Sequence, residues 1–331
     1  MKKIAALCLS VLMAAFPLCA CQKEASGPVK VRLSEVTHSV FYAPQYVALS
    51  QGFFQEEGLD VELTNGGGAD KVMTAVLAGQ AEIGLAGPEA CIYVALEGRE
   101  DAPKVFAQLT NCDGAFIVGR TQEEFSWENL RGKNIIGGRK GGVPEMTLEY
   151  VMKQNGVEPH VDAQVDTSVQ FNMMAGAFTG GNGDYVALFE PTATEVELAG
   201  QGYVLASVGE AGGEIPYTAY FAAESYMNAN PDVIQGFANA VARGQAWVQS
   251  HTDDEIALVL ADYFPDTDLD VLARVSARYR SIGAWNETPV MQQEALERLE
   301  TVMESAGELT QRVDFHQLVD NTFAEKAAAN A

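Results

Sequence analysis

The sequence is short of the residues on which most catalytic and metal chemistry depends. Its four histidines, His38, His160, His251 and His316, are far apart, and none has a metal-ligand neighbour at helical spacing. There is no Gly-x-Ser-x-Gly elbow, no His-Glu-x-x-His pair, no Walker loop and no Gly-x-Gly-x-x-Gly turn. Asp266-Thr-Asp-Leu-Asp270 imitates a calcium loop, but Val271 stands where glycine is needed and Ala277 where the bidentate glutamate belongs. That stretch is read as a helix-capping surface loop. No catalytic residue, cofactor or metal site is assigned, and the chain is not expected to be an enzyme.

Positive charge is scarce as well. Against 45 Asp and Glu stand 21 Lys and Arg, a formal net charge of -24. A chain this acidic repels phosphate backbones, so nucleic acid is excluded as a partner. Cysteine is limited to five residues, three of them (Cys8, Cys19 and Cys21) near the start. Cys91 and Cys112 remain, and are read either as one bridge or as two buried thiols. The apolar run Ile4 to Phe16 is too short for a membrane span. With Lys2 and Lys3 before it and Leu18-Cys-Ala-Cys21 after it, the run reads as a signal peptide over residues 1–20. Leucine, two small residues and cysteine resemble the lipobox of bacterial lipoproteins. That resemblance implies cleavage before Cys21, acylation of its thiol, and a membrane anchor outside the cytoplasm, with residues 21–28 as a tether.

The rest is ordinary globular composition, 47% hydrophobic with 31 Gly and 12 Pro. At 331 residues two lobes are expected. The chain after the tether is organised around Phe41 to Leu63. Pro44 suits the first turn of a helix, because its missing N–H would be unpaired there anyway. Tyr46, Val47, Leu49 and Phe53 supply an apolar face, and a strand from Asp60 to Asn65 follows. With a first strand at Val31–Val36 this completes a strand–helix–strand unit, the mark of a parallel α/β sheet. Further strands are predicted at 82–87, 104–110, 116–120, 134–138, 163–166, 184–190 and 217–223. Helices follow from Pro231 to Ala306, then a frayed tail. Gly79 to Pro88 and Gly181 to Pro191 each run turn, acid, strand and proline. That pseudo-repeat suggests two lobes on one plan: 29–115 with 224–331, and 116–223.

Parallel sheets bind ligands at the carboxyl ends of their strands. Six loops stand there: Thr37–Tyr42, Gly66–Asp70, Gly87–Glu89, Thr110–Asp113, Arg139–Glu145 and Phe189–Thr192. Their helix N-termini, with Arg139 and Lys140, suit an anionic group. Tyr42 and Phe189 suit the faces of a planar or apolar body. Asn111 and Glu190 suit hydrogen-bonding edges. Each has a structural alternative: Phe41 and Phe53 as core, Arg139 and Lys140 as surface charges, Glu190 as a cap on the helix that follows it.

Several phrases occur in the order seen in one family. They are Tyr42-Ala-Pro-Gln-Tyr-Val-Ala, Gln51-Gly-Phe-Phe-Gln-Glu-Glu-Gly-Leu-Asp-Val-Glu62 and Ala75-Val-Leu-Ala-Gly-Gln-Ala-Glu-Ile-Gly84. Asn129-Leu-Arg-Gly-Lys-Asn-Ile-Ile-Gly137, Leu188-Phe-Glu-Pro191 and Ala284-Trp-Asn-Glu-Thr-Pro289 continue them. Over residues 30–310 the chain resembles the solute-binding proteins of ABC importers in the nitrate, sulfonate, taurine and thiamine-pyrimidine-precursor group. The resemblance implies a type II periplasmic-binding-protein fold and a monomer that hands a small solute to a permease and its ATPase. It implies ligand-facing loops at Ser39 and Tyr42, Gly66 and Gly67, Gly87 and Glu89, Asn111 and Asp113, and Arg139, Lys140 and Gly141, with Phe189 and Glu190 opposite. A pyrimidine-type precursor or similar heterocycle is the first ligand expected. A sulfonate, taurine or nitrate-type anion is the second, and a sensory lipoprotein the alternative role.

Overall fold

A computed structural model describes residues 27–331. The signal peptide, Cys21 and the tether as far as Ser26 lie outside the described residues. Among the described residues ten strands form two sheets. They are β1 (Val29–Glu35), β2 (Leu59–Asn65), β3 (Ile83–Ala86), β4 (Pro103–Thr110), β5 (Phe116–Gly119), β6 (Asn134–Ile136), β7 (Gln164–Asp166), β8 (Tyr185–Leu188), β9 (Tyr203–Ser207) and β10 (Thr218–Ala223). The first sheet runs β2-β1-β3-β10-β4 and the second β7-β6-β8-β5-β9. In the first, β1 is parallel to β2 and β3, and β10 is antiparallel to β3 and β4. In the second, β6 is parallel to β7 and β8, and β5 is antiparallel to β8 and β9. The two sheets therefore repeat one plan, and the strands of the pseudo-repeat, β3 and β8, hold the same central place. Both are buried at every position, as strands covered by helices on both faces must be.

One network sets the loop after β1. The Glu35 carboxylate is buried and accepts from Gln45 Nε2 at 2.7 Å and from the Tyr46 hydroxyl at 3.0 Å. His38 Nδ1 stands 3.2 Å from the same carboxylate, and His38 Nε2 stands 2.7 Å from the Tyr263 carbonyl oxygen. Glu35 holds the His38 pKa above the ordinary imidazole range, against the opposing effect of burial. Trp285 Nε1 donates to the Phe41 carbonyl at 3.0 Å, so the C-terminal part of the chain also fixes this loop. Between them these bonds give the loop the rigid setting that a binding wall requires.

The structure differs from expectation in four places. β9 was not anticipated: Tyr-Val-Leu-Ala-Ser is a short apolar run without alternation, and only pairing with β5 identifies it as a strand. β10 belongs to the first sheet, so a second lobe reaching residue 223 runs one strand too far. The tail is packed, not frayed: Phe315–Leu318 and Thr322–Ala328 are helical, Val319 bridges to Val105, and Ala324 and Ala327 are buried. Asp268 occupies the N-cap of the helix Leu269–Ser281, but its side chain makes no capping bond. Of the two readings of Cys91 and Cys112, the structure shows the buried free thiols, and burial drives the pKa of both well up.

Candidate functional site

A cavity of about 600 Å³, its open mouth included, lies where strand ends of both sheets meet. From the first sheet come Val36 and Thr37 after β1, Gly68 and Ala69 beyond β2, and Gly87 and Glu89 beyond β3. From the second come Gly138 and Arg139 beyond β6, Gly142 to Pro144 at the next helix start, and Phe189 after β8. Three helices begin on it: Ala69–Leu77, Glu89–Leu96 and Val143–Gln154. Their first N–H groups and dipoles place partial positive charge at the cavity, beside the Arg139 guanidinium, which stands 3.7 Å from Asp70.

Aromatic rings make up much of the remaining wall. Tyr42, Phe171, Phe189 and Tyr217 all line it. Phe189 is the centre of the cluster, with its ring 5.3 Å from Phe171, 5.5 Å from Phe41 and 6.0 Å from Tyr217. Phe41 does not line the cavity and acts as core behind it.

Glu89 is the one carboxyl in the lining. It is buried, and its Oε2 has no hydrogen-bond partner. Burial pushes its pKa up to about 7, against the opposing pull of Arg139 and of N–H groups at the helix starts. Gly87 leaves it room, since a Cβ there would stand 1.9 Å from Glu89 Oε2. A carboxyl that binds its proton more tightly folded than unfolded loses stability as pH rises from its ordinary 4.5 through about 7. Glu89→Gln removes that loss. At about 1.4 kcal/mol per pKa unit, the variant should gain about 3 kcal/mol on the parent between pH 4.5 and pH 8 in urea titrations. A difference that stays flat with pH would show that Glu89 is solvated.

The structure distributes the other candidates unevenly. Tyr42, Gly87, Glu89, Arg139 and Phe189 line the one cavity. Gly66 and Gly67 do not. Gly66 is packed under Val72 and Ser34, and the chain reaches the cavity at Gly68. Gly141 likewise gives way to Gly142: its N–H donates to Glu145 Oε2 at 3.0 Å and its carbonyl accepts from the Tyr93 hydroxyl at 3.0 Å. The Lys140 side chain is 71% exposed and points to Glu308, 3.5 Å away. Asn111 lines a different cavity, with Arg280 and Trp285, because β4 is an edge strand and its end lies away from the centre. Asp113 is wholly buried beside Tyr217, accepts from Ala115 N at 2.7 Å, and is pushed up to about 8 by burial.

Ser39 and Glu190 are committed to each other and to the fold. Ser39 Oγ donates to the Glu190 carbonyl at 2.6 Å and accepts from Phe41 N. The Glu190 carboxylate accepts from Thr194 N at 2.8 Å, from Thr194 Oγ1 at 2.9 Å and from Arg278. It caps the helix Thr192–Leu198, and with Ser39 it lines a neighbouring cavity bounded by Phe171 and Phe189. Glu89, and not Glu190, is the carboxyl that lines the cavity.

Phe171, Tyr217 and Thr218 line the cavity without having been foreseen. Tyr217 and Thr218 stand at the amino end of β10. An antiparallel strand starts where its parallel neighbours finish, so a search of carboxyl ends passes it by. Phe171 follows β7 by a short loop, whose carboxyl-end position was the available signal.

Among the described residues no group of three or more His, Cys, Asp or Glu is placed to hold a metal ion, and no helix is long and apolar enough to cross a membrane. The family description NMT1/THI5 like matches residues 40–255. The YtlA protein of Bacillus subtilis (strain 168) is 42% identical over 323 residues, which cover 97% of this chain and 96% of YtlA. Two solved structures share the fold. The alkanesulfonate-binding protein SsuA of Xanthomonas axonopodis pv. citri, bound to MOPS, superposes with a TM-score of 0.72 at 16% identity, covering 90% of this chain and 100% of that one. The periplasmic nitrate-binding protein NrtA of Synechocystis PCC 6803 superposes with a TM-score of 0.70 at 15% identity, covering 92% and 89%. The architecture is the type II periplasmic-binding-protein fold. On the strength of the match over well over half its length and of the relative along almost all of it, the chain belongs to the NMT1/THI5-like family.

Proposed function

We propose that this chain is the extracytoplasmic solute-binding component of an ABC importer, and that its solute is a planar heterocycle of the pyrimidine type. The carrying observation is the ring of Tyr42, Phe171, Phe189 and Tyr217 around Glu89, whose outer oxygen has no partner. Aromatic faces suit a flat body, and an unpaired buried carboxyl suits its N–H edge. YtlA carries the name of a binding protein, which agrees with capture and release without chemistry. Residues 29–115 with 218–331, and 116–217, act as two lobes closing on the solute. Acylated Cys21 anchors them to the membrane as a monomer, within reach of a permease and its ATPase.

A second reading has its own support. Three helix N-termini and Arg139 suit an anion such as a sulfonate, and SsuA of the same fold is an alkanesulfonate-binding protein. A thermal-shift panel separates the two, because a ligand at a hundred times its Kd adds about 2.7 kcal/mol of stability. Aminopyrimidines should stabilise the parent, and Glu89→Gln and Tyr42→Phe should weaken that response. Tyr42→Ala is unsuitable, since Tyr42 is buried and its truncation would also leave a void in the fold. Stabilisation by alkanesulfonates or nitrate alone would overturn the heterocycle. Neighbouring genes without a permease and ATPase would favour a sensory lipoprotein.

A further inference from the structure

Outside the cavity, a ladder of polar contacts joins a helix attached to one sheet with a helix attached to the other. The helix Leu269–Ser281 packs on the helix Asp253–Leu260 and the turn Val40–Tyr42, on the side of the first sheet. The helix Thr192–Leu198 connects β8 to β9 of the second. Nearest the point where the chain passes between sheets, the Tyr279 hydroxyl donates to the Gly114 carbonyl at 3.2 Å and accepts from Glu190 N at 2.9 Å. Beside it Arg278 meets the Glu190 carboxylate. A turn earlier Arg274 pairs with Glu197, and ahead of the helix Thr267 Oγ1 donates to Glu195 Oε1 at 3.1 Å. Exposure rises along the ladder, from 20% for the Arg278 side chain to 46% for that of Arg274.

We propose that the outer rungs, Arg274–Glu197 and Thr267–Glu195, are a latch that holds the cleft shut, with Tyr279 at the pivot. A rotation about Tyr279 moves each rung in proportion to its distance. Leu269 is about 15 Å up the helix at a rise of about 1.5 Å per residue. An opening of about 15°, the size of known subunit rotations, carries contacts there apart by about 4 Å, and those at Arg274, half as far from the pivot, by about 2 Å. That breaks an outer hydrogen bond and leaves the Tyr279 bonds nearly in place. Exposed ion pairs are individually weak, which suits a latch that must release. Apparent affinity falls with the fraction of protein in the closed form, so the latch tunes uptake for whichever solute the cavity takes. The inference rests on the lobe closure proposed above and on no particular ligand.

Hydrogen exchange on the ligand-free full chain tests it without a solute. In Arg274→Gln and Glu197→Gln, amides of 66–70 and 138–142 should exchange about two- to fivefold faster than in the parent. Amides of β1 and β6 should be unchanged. Raising salt should bring the parent toward the variants, since screening weakens exposed pairs. Arg274→Lys, which keeps a cation opposite Glu197, should stay close to the parent rate. Glu197→Gln keeps the oxygen that accepts from Val204 N, so its local fold is spared. Faster exchange confined to the two helices, or none, would overturn the latch. A thermal-shift panel without a hit beside a positive exchange result would count against the solute reading alone.

Discussion

Replacing Arg278 with leucine is expected to lower folding stability by about 3–5 kcal/mol at neutral pH, the range for stripping one partner from a buried ion pair. The Glu190 carboxylate is buried, and the Arg278 guanidinium is its cationic partner. Without it, the two Thr194 donors must hold a charge from which water is excluded. Burial already holds the Glu190 pKa above the ordinary carboxylate range, with Arg278 pulling the other way. Removing Arg278 raises it further. A folded-state pKa above the unfolded value means the loss grows as pH rises through that interval and shrinks as pH falls. Urea unfolding at pH 5 and pH 7.5 should therefore show a smaller penalty at pH 5. Adding Glu190→Gln to the leucine variant should recover much of the loss, because a neutral amide still accepts from Thr194. A penalty below 1 kcal/mol, or one unchanged by pH, would mean that Glu190 is hydrated. This inner rung differs from the outer latch in what it should change: stability here, cleft opening there.

Gly244→Ala is expected to cost about 3 kcal/mol although alanine is the better helix former. Gly244 lies inside the helix Pro231–Ser250, where propensity alone favours alanine by about 1 kcal/mol. The added Cβ would stand 2.2 Å from the Pro44 carbonyl oxygen and 3.2 Å from Ala48 Cβ. A backbone oxygen cannot change rotamer, so the helices Pro231–Ser250 and Ala43–Ser50 must move apart. The shorter one begins directly after Tyr42, and its displacement should weaken solute binding too. Calorimetric unfolding with a binding titration checks both effects. A variant more stable than the parent would show that the helices can part freely.

The parallel unit from β1 to β2 and the proline-started helix between them were legible because local chemistry and hydrophobic period agree there. So was the shared plan of β3 and β8, from turn, acid, strand and proline in the same order. Tyr42, Gly87, Glu89, Arg139 and Phe189 were legible because strand carboxyl ends collect at one place in a parallel sheet. Gly66, Gly67 and Gly141 were displaced by a residue or two, since which glycine of a run turns inward depends on packing beneath it.

The sequence by itself determined the parallel α/β halves, the family, and the set of loops from which the cavity is drawn. Tertiary structure alone decided which members of those loops face one another. Strand order sent Asn111 to an edge, an antiparallel return brought in Tyr217, and Arg278, 88 residues away in the chain, claimed Glu190 and left Glu89 as the unpartnered carboxyl of the cavity lining. Period and turn chemistry act over a few residues and can be read along the chain. Desolvation acts on whatever partners the fold brings within reach, and that is what separates a cap from a ligand contact.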